Sequence, residues 1–572
     1  MGLRNLFVYQ PRTFVPQDAH LTDKDTIVGL LRRLLDRNIS SSNDLEKWLL
    51  HASELGAAVG QAASILYIEM TCQTDDPKRA KAYQDFVENV EPVIKPLSDE
   101  MNRKYLKLRE TLELPKERYL VYDRAVKTAV EMFCAENIPL QTELALLSQE
   151  YQAVSGVMTV EFDGKERTLP EMSKFLLEND RALRERAWRA VAARRLKDAG
   201  KFEEIFDKMR ALRQKIAVNA KFANYRDYQF KAYLRFDYTP EDCKAYHRAI
   251  KEVIVPLRRE MDARRCREMK LAELKPWDAA VDPLGRTALK PFTKAEELTG
   301  GVGRMMARLD PELAGLYEDM KGHGLLDLEN RKGKAPGGYQ NTLTEARKPF
   351  IFMNAIGIDD DVRTLLHESG HAFHAYLCAH DPLDDYRHAP MEFCEVASMS
   401  MELMADKFMG EFYSEEAARR SSIEHLEGVV ATLAWVATID SFQHWIYENP
   451  NHTAEDRRTA WLKAHADFGG NVMNWDGLDA ERASLWHRQL HIFEVPFYYI
   501  EYGIAQLGAL GIWRQFRHNP AQALVNYKKA LTLGGSRPLP ELFQAAGLTF
   551  GFSKDMIAPL MDEVTAEWKR LS

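Results

Sequence analysis

The sequence predicts a mainly α chain. Apolar residues recur at helical spacing along most of its 572 positions, strand signals are few, and Pro and Gly gather in short stretches between the helical runs. Thr22 or Asp23 is placed to cap a helix carrying Ile27, Leu30, Leu31, Leu34 and Leu35. Ser41 to Asn43 are placed to cap another containing Leu45, Trp48 and Leu49. Amphipathic stretches continue through 80–155 and 172–250. Met158 to Phe162, then Asp163-Gly164, then Lys165 to Leu169 read as a β-hairpin, because an Asp-Gly pair supplies the two positive φ angles of a tight turn. Pro349 to Asn354 reads as a second short strand. The Pro/Gly-rich stretches at 275–303 and 333–338, and the breaks near Pro450, Pro520 and Gly534-Gly535, read as loops within a helical scaffold. Neither an internal repeat nor a low-complexity segment is visible.

Composition narrows the function classes. A formal charge of -8, with both signs interspersed, gives no basic stripe able to track phosphates, so no nucleic-acid partner is expected. The short basic runs Arg264-Arg265 and Arg331 to Lys334 read as solvated surface. No stretch reads as the roughly 20 apolar residues of a membrane span, so no membrane partner is expected. The N-terminal run Leu3 to Val8 is too short for a signal peptide, and Leu6 spoils a myristoylation pattern. Cys72, Cys134, Cys243, Cys266, Cys378 and Cys394 are scattered without metal-pair spacing or a disulfide framework, which fits a cytoplasmic location.

The chemistry is concentrated in His367-Glu368-Ser369-Gly370-His371. On a helix, two histidines four apart project from one face about one turn apart, so both imidazoles reach one ion while the intervening Glu sits beside its open position. The flanks are helical: Asp359-Asp360-Asp361 supply N-cap and first-turn acids, and Val362, Leu365, Leu366, Phe373 and Tyr376 follow at helical spacing. Nothing breaks the run before Pro382. Five of the sixteen histidines lie in residues 367–388, and His374, close to the same face, is read as packing against or orienting the ligands.

A catalytic zinc takes three protein ligands and a water. An H-x-x-G-x-x-H extension is ruled out, since positions 374 and 377 hold His374 and Leu377. A downstream acid remains. Glu392 to Glu402 reads as a second helix after Pro390, and by spacing either Glu392 or Glu395 closes the site.

The stretches Pro349 to Asn354, Asp361 to Leu365 and His367 to His374 together resemble the M3 family of zinc metallopeptidases, the thimet oligopeptidase and oligoendopeptidase F group. The resemblance is in particular to the bacterial oligoendopeptidase F/Pz-peptidase branch. The family's E-[VA]-x-S element falls on Glu395-Val396-Ala397-Ser398, so the resemblance implies Glu395 as third ligand. A second block, His491 to Gly503, resembles the family's substrate-facing His/Tyr segment. It implies Tyr502 as transition-state donor, with His491, Tyr499 and Tyr498 along the same wall; read alone, this Tyr-rich run beside Phe and Pro suits a packed aromatic core. Animal members carry a glycine-rich loop there, whereas this chain has Glu494-Val495-Pro496-Phe497, so a flexing loop is not carried over.

What the resemblance implies is a multi-helix zincin-type peptidase, with a small β-sheet beside the HExxH helix and two interleaved helical regions around a deep substrate channel. The expected division is an N-terminal helical region 1–195 and a catalytic region 196–572. One Zn2+ per chain is expected on His367, His371 and Glu395, with water as nucleophile and Glu368 as general base in hydrolysis of internal bonds of short peptides. Glu402, two turns beyond Glu395, is expected to orient a ligating imidazole. Phe350, Phe352 and Asn354 are expected to bind substrate, their strand presenting a backbone edge to an extended peptide. The chain is expected to be a monomer or a weak homo-oligomer. The competing readings are a peptidyl-dipeptidase on the same scaffold, a non-catalytic peptide-binding member, and a Cys/His peptidase using Cys394.

Overall fold

The computed structural model describes residues 3, 8–331, 333–335, 337–469 and 473–572. Most of the N-terminal residues weighed for a targeting signal, and Lys332 of the second basic run, lie outside the described residues. Helices make up 69% of the chain, as the periodicity requires.

Five strands are present among the described residues. β1 (Thr159–Phe162) and β2 (Lys165–Thr168) form the expected hairpin, pairing Phe162 with Lys165 across Asp163 and Gly164. Both turn residues have positive φ, 51° and 72°, which suits the twist of the flanking strands. β3 (Leu326–Glu329), β4 (Tyr339–Leu343) and β5 (Lys348–Ala355) form a three-stranded sheet in the order β3-β5-β4, with β3 parallel and β4 antiparallel to β5.

This order corrects one expectation. The strand over Phe350 to Asn354 is the central one, its backbone paired on both sides, so it offers no free edge to a peptide; β4 is an outer strand instead. The Phe350 and Phe352 rings have no exposed surface, and the Asn354 amide donates to the Ala335 and Gly337 carbonyls at 2.7 and 2.9 Å. All three residues shape the sheet rather than line a surface with their side chains.

The chain divides into two compact units, each assembled from three stretches. The first comprises Met1–Glu131, Leu289–Ser422 and Ala505–Phe550; the second comprises Met132–Ala288, Ile423–Ile504 and Gly551–Ser572. Position 195 lies inside the helix Arg181–Lys197, so the chain changes unit at 131/132 and 288/289 and not at the expected boundary.

In the first unit, Asp23 accepts from the Thr26 amide at 2.8 Å and starts the helix Lys24–Leu35, while Ser41 accepts from the Asp44 amide at 3.1 Å and starts Ser42–Cys72. These two helices meet at Trp48, whose indole N–H donates to the Leu34 carbonyl at 2.9 Å. Contrary to the reading of no apolar span, Ser42–Cys72 is long and apolar enough to cross a membrane by length and composition. It is a core helix nonetheless: Leu45, Trp48, Leu49 and Leu55 are buried with Phe14 and Tyr105, and Glu54 receives the Thr13, Phe14 and Val15 amides.

The basic runs differ from expectation in part: Arg331 stays exposed, while Lys334, Arg264 and Arg265 are largely withdrawn from solvent. Arg331 and Lys334 both fold onto Asp327, at 2.5 and 3.0 Å, and the Lys334 side chain is fully buried. In the second unit Arg264 pairs with Glu268 at 2.7 Å and Arg265 donates to the Val281 carbonyl at 2.6 Å. Each of these cations satisfies a local acceptor, which a sequence run of charge does not reveal.

Candidate metal centre

The pentapeptide lies on the helix Asp359–Leu377, hereafter the motif helix. Its start is fixed by Asp361, whose Oδ2 accepts from the backbone N–H groups of Ile356, Gly357 and Ile358 at 2.9, 2.7 and 2.9 Å. The N-cap amide of Ile358 and the two amides just before it are thereby satisfied, which fixes where the chain turns into the helix. Val362, Leu365, Leu366 and Phe373 have no exposed surface, so the apolar stripe anchors the helix and fixes which way the histidines turn. One turn in, Arg363 is buried and reaches Asp406 at 2.6 Å.

The acid-bearing helix is Met391–Ala405, beginning after Pro390. Gly370 allows it to approach. A Cβ at position 370 would stand 2.6 Å from both the Ala397 carbonyl oxygen and the Ser398 Cα, so only glycine permits this backbone contact. The Tyr527 hydroxyl donates to the same Ala397 carbonyl at 2.9 Å.

With the two helices this close, His367 Nε2 lies 3.2 Å and His371 Nε2 3.6 Å from one and the same oxygen, Glu395 Oε2. The imidazole centroids are 4.9 Å apart with planes at 81°, and ligand atoms of all three residues lie within 4.8 Å of one another. Ser398 Oγ donates to Glu395 Oε2 at 2.9 Å and His367 Nδ1 bonds Glu402 Oε1 at 2.7 Å. Two imidazoles and a carboxylate, each retaining some exposure, are a donor set that suits a divalent metal of the zinc class. The residues present therefore fit the metal.

Electrostatics agree with ligation. Burial works against the charged form of His371 and lowers it to about 4, leaving a neutral ring with a free lone pair. Burial opposes ionisation of Glu395 as well, but the bond to His367, the neighbouring imidazoles and the bond from Ser398 prevail and hold its carboxyl at about 2. For His367, burial is outweighed by its bonds to Glu395 and Glu402, so its ring holds a proton well above the usual 6.5. A dication entering the site displaces that proton. Glu368 is raised to about 7, first by burial and then by Glu395, against His367 and a backbone N–H from Gln340 of β4.

The remaining candidates fall as follows. Glu392 is buried one turn before Glu395 and lies outside the ligand group. His374 is buried beside Phe393, with ring centroids 6.1 Å apart, and burial lowers it to about 3, so it packs as a neutral ring. Cys394 Sγ points at the Ala389 carbonyl at 3.5 Å, and Ser369 is fully buried with its hydroxyl on the Leu365 carbonyl at 2.6 Å.

The His/Tyr segment belongs to the second unit. His491 sits on the short helix Leu490–Glu494, and Tyr502 on the first turn of Ile500–His518. The rings of Tyr498, Tyr499 and Tyr502 surround His491 at 6.0, 4.8 and 5.8 Å between centroids, all half-buried. His487, spaced four before His491, lies in a separate turn, buried, with Nε2 3.0 Å from Glu203. The segment is clamped by two buried arginines. Arg213 bonds the Ile492 and Phe493 carbonyls, and Arg235 bonds the Phe497 carbonyl at 2.5 Å and Glu501 at 2.8 Å.

Two family comparisons bear on this arrangement. The model of Peptidase family M3 matches residues 175–561, more than half of the chain, and that of the Peptidase M3 N-terminal domain matches residues 22–133. The chain belongs to peptidase family M3.

Among solved structures, this M3 chain is similar to Pz peptidase A with inhibitor 2, at 28% identity and a TM-score of 0.86, covering 98% of this chain and 99% of that one. Oligopeptidase PepF of Bacillus subtilis (strain 168) is 24% identical over 310 residues, 53% of this chain and 44% of that protein. An oligoendopeptidase F homolog of Borreliella burgdorferi is 24% identical over 241 residues, 40% of each. The chain thus aligns with less than half the length of these curated relatives.

Three contributors to the M3 site had no role in the sequence reading. Gly370 sets the helix separation, Ser398 orients Glu395, and β4 brings Gln340 to the general-base candidate. Gly370 and Ser398 stand inside quoted motifs, where a small residue between two ligands is the available signal. β4, reading Tyr-Gln-Asn-Thr-Leu, has neither alternation nor a β-branched run, so periodicity does not find it.

Proposed function

We propose that this chain is a zinc-dependent oligopeptidase that hydrolyses internal bonds of short peptides. The observation that carries the reading is the convergence of both imidazole Nε2 atoms on one oxygen of Glu395. Membership of family M3 supports it.

His367, His371 and Glu395 would hold the metal. When bound, zinc supplies a Lewis acid that polarises the scissile carbonyl and brings the pKa of its water toward neutrality. Glu368 takes the proton from the attacking water and returns it to the leaving amide nitrogen, a task that needs a carboxylate whose pKa is near the working pH. Tyr502 donates its phenol hydrogen to the developing oxyanion. His491, Tyr498 and Tyr499 fix the ring of Tyr502 by packing around it. The extended peptide lies along β4, the outer strand, which accounts for affinity without strict sequence preference. Free cysteines throughout the described chain support a reducing compartment such as the cytoplasm.

The test is cleavage of an internally quenched octapeptide with and without a chelator. Chelation abolishes cleavage and added zinc restores it. Glu368→Gln is inactive with wild-type metal content; turnover by that variant removes the general-base role, and chelator-resistant turnover removes the zinc. Mass spectra of the products distinguish internal cleavage from release of C-terminal dipeptides.

A further inference from the structure

Within the second unit lies a buried group of metal-ligating side chains that the peptidase reading does not use. Cys243 and His247 stand four apart on the helix Pro240–Glu268, and Asp440 and His444 stand four apart on Glu415–Glu448. Each pair projects from one helix face, the spacing that lets two side chains share an ion. One ligand atom from each of Cys243, Asp440 and His444 lies within 4.8 Å of the others, and all three residues are buried.

Hydrogen bonding within the group is incomplete. His247 Nε2 bonds Asp440 Oδ2 at 2.7 Å, whereas Asp440 Oδ1 and His444 Nδ1 have no hydrogen-bond partner despite being buried. His444 Nε2 stands 3.4 Å from Asp440 Oδ2. Buried polar atoms of native proteins are satisfied with few exceptions; an unpartnered carboxylate oxygen and an imidazole Nε2 whose nearest acceptor is 3.4 Å away, in one cluster that also holds a thiol, call for a shared partner. Aromatic rings pack against the group: the His444 ring against Phe230 and Phe497 at 6.0 and 5.3 Å, and His247 against Phe468 at 6.2 Å.

We propose that Cys243, Asp440 and His444 bind a second transition-metal ion, of the zinc class, with His247 orienting Asp440. Sulfur and imidazole donors select such a metal over Mg2+ or Ca2+, which take oxygen ligands. Bonds of about 2.0–2.3 Å in a tetrahedron place ligand atoms about 3.3–3.8 Å apart, so the group closes on an ion with side-chain shifts of about 1 Å. Charge balances too. By themselves, burial and then Asp440 favour the Cys243 thiol over the thiolate; a dication inverts this, the S–H proton passes to solvent as the S–metal bond forms, and thiolate plus carboxylate neutralise the ion. The nearby cation Arg235 is engaged by Glu501 at 2.8 Å. An ion there would tie the two helices together and, through the His444–Phe497 contact, steady the turn that precedes Tyr498 and Tyr499.

The test uses the full chain reconstituted with Co2+. The peptidase ligands include no sulfur, so a thiolate-to-cobalt charge-transfer band in the near ultraviolet reports the second site alone. The wild type shows this band and binds one more equivalent of Co2+ than Cys243→Ser or His444→Gln; both variants lose the band, whereas Cys394→Ser keeps it. A wild-type spectrum without the band, or a band lost in Cys394→Ser, overturns the proposal. Should the other variants fail to fold, retention of the band in the single Ser variants of Cys72, Cys134, Cys266, Cys378 and Cys394 leaves Cys243 as its source, and loss in any of them overturns the proposal.

Discussion

Gly370 and Ala397 meet backbone to backbone across the two ligand-bearing helices, closely enough that a methyl group on residue 370 would sit 2.6 Å from the Ala397 carbonyl oxygen. Neither atom is the end of a flexible side chain, so the contact cannot relax by a rotamer change. In Gly370→Ala the helices must move apart, and Glu395 moves with its helix away from the two imidazoles. The variant is expected to lose about 1–3 kcal/mol of stability from overpacking and to bind zinc about 10-fold or more weakly. Titration with a metal indicator checks this; unchanged affinity would mean that the helix separation does not govern the site.

Glu395 and Glu392 compete for the third ligand by spacing, and the geometry separates them. Glu395 Oε2 faces both imidazoles, while Glu392 lies outside the group. Glu395→Ala should abolish stoichiometric zinc at the peptidase site, Glu392→Ala should retain it, and metal analysis of the two purified variants gives the order. Glu402→Ala, which frees His367 Nδ1 from its 2.7 Å partner, should fall between them with a loss of about 10–100-fold in affinity.

The pH profile follows from Glu368. Burial, with Glu395 adding, raises its carboxyl from 4.5 to about 7. If Glu368 is the base, it must be ionised to accept the water's proton, and kcat/KM then falls as pH drops through that value, with unit slope. A dication in the adjoining site favours the ionised form and moves the limb downward. The acidic limb is therefore expected between 4.5 and about 7, and a profile still flat at pH 4.5 would contradict a buried carboxylate as base.

How much of this was legible before the structure depends on whether the feature is local. His367, Glu368 and His371 were readable because one helix places them by its own geometry, and Asp23 and Ser41 because a cap is a contact over three residues. Choosing Glu395 over Glu392 was not local: it depends on the separation of two helices, which Gly370 sets and spacing alone does not encode. The role given to β5 failed for the same reason, since whether a strand is central or outer depends on partners such as β4 that carry no periodic signal. Likewise Cys243 and Asp440 are nearly two hundred positions apart, and neither i, i+4 pair is informative until the helices are seen together.

Tyr502 offers the sharpest separation of chemistry from packing. Its ring is held by His491, Tyr498 and Tyr499, while the backbone beneath it is fixed by the Arg235–Glu501 pair on one side and by Gly503 on the other. A Cβ at 503 would stand 2.7 Å from the Tyr246 hydroxyl, so the helix start sits hard against its neighbour and Tyr502 has little freedom to shift. Tyr502→Phe keeps the ring, its aromatic contacts and this backbone setting, and removes only the phenol oxygen. If that oxygen donates to the oxyanion, kcat falls by about 10²-fold or more while KM changes little. Metal content and melting temperature stay at wild-type values, because the ligand set lies elsewhere in the chain. A variant with unaltered kcat assigns the tyrosine to packing, and one that loses stability together with kcat assigns the hydroxyl to holding the aromatic group in place.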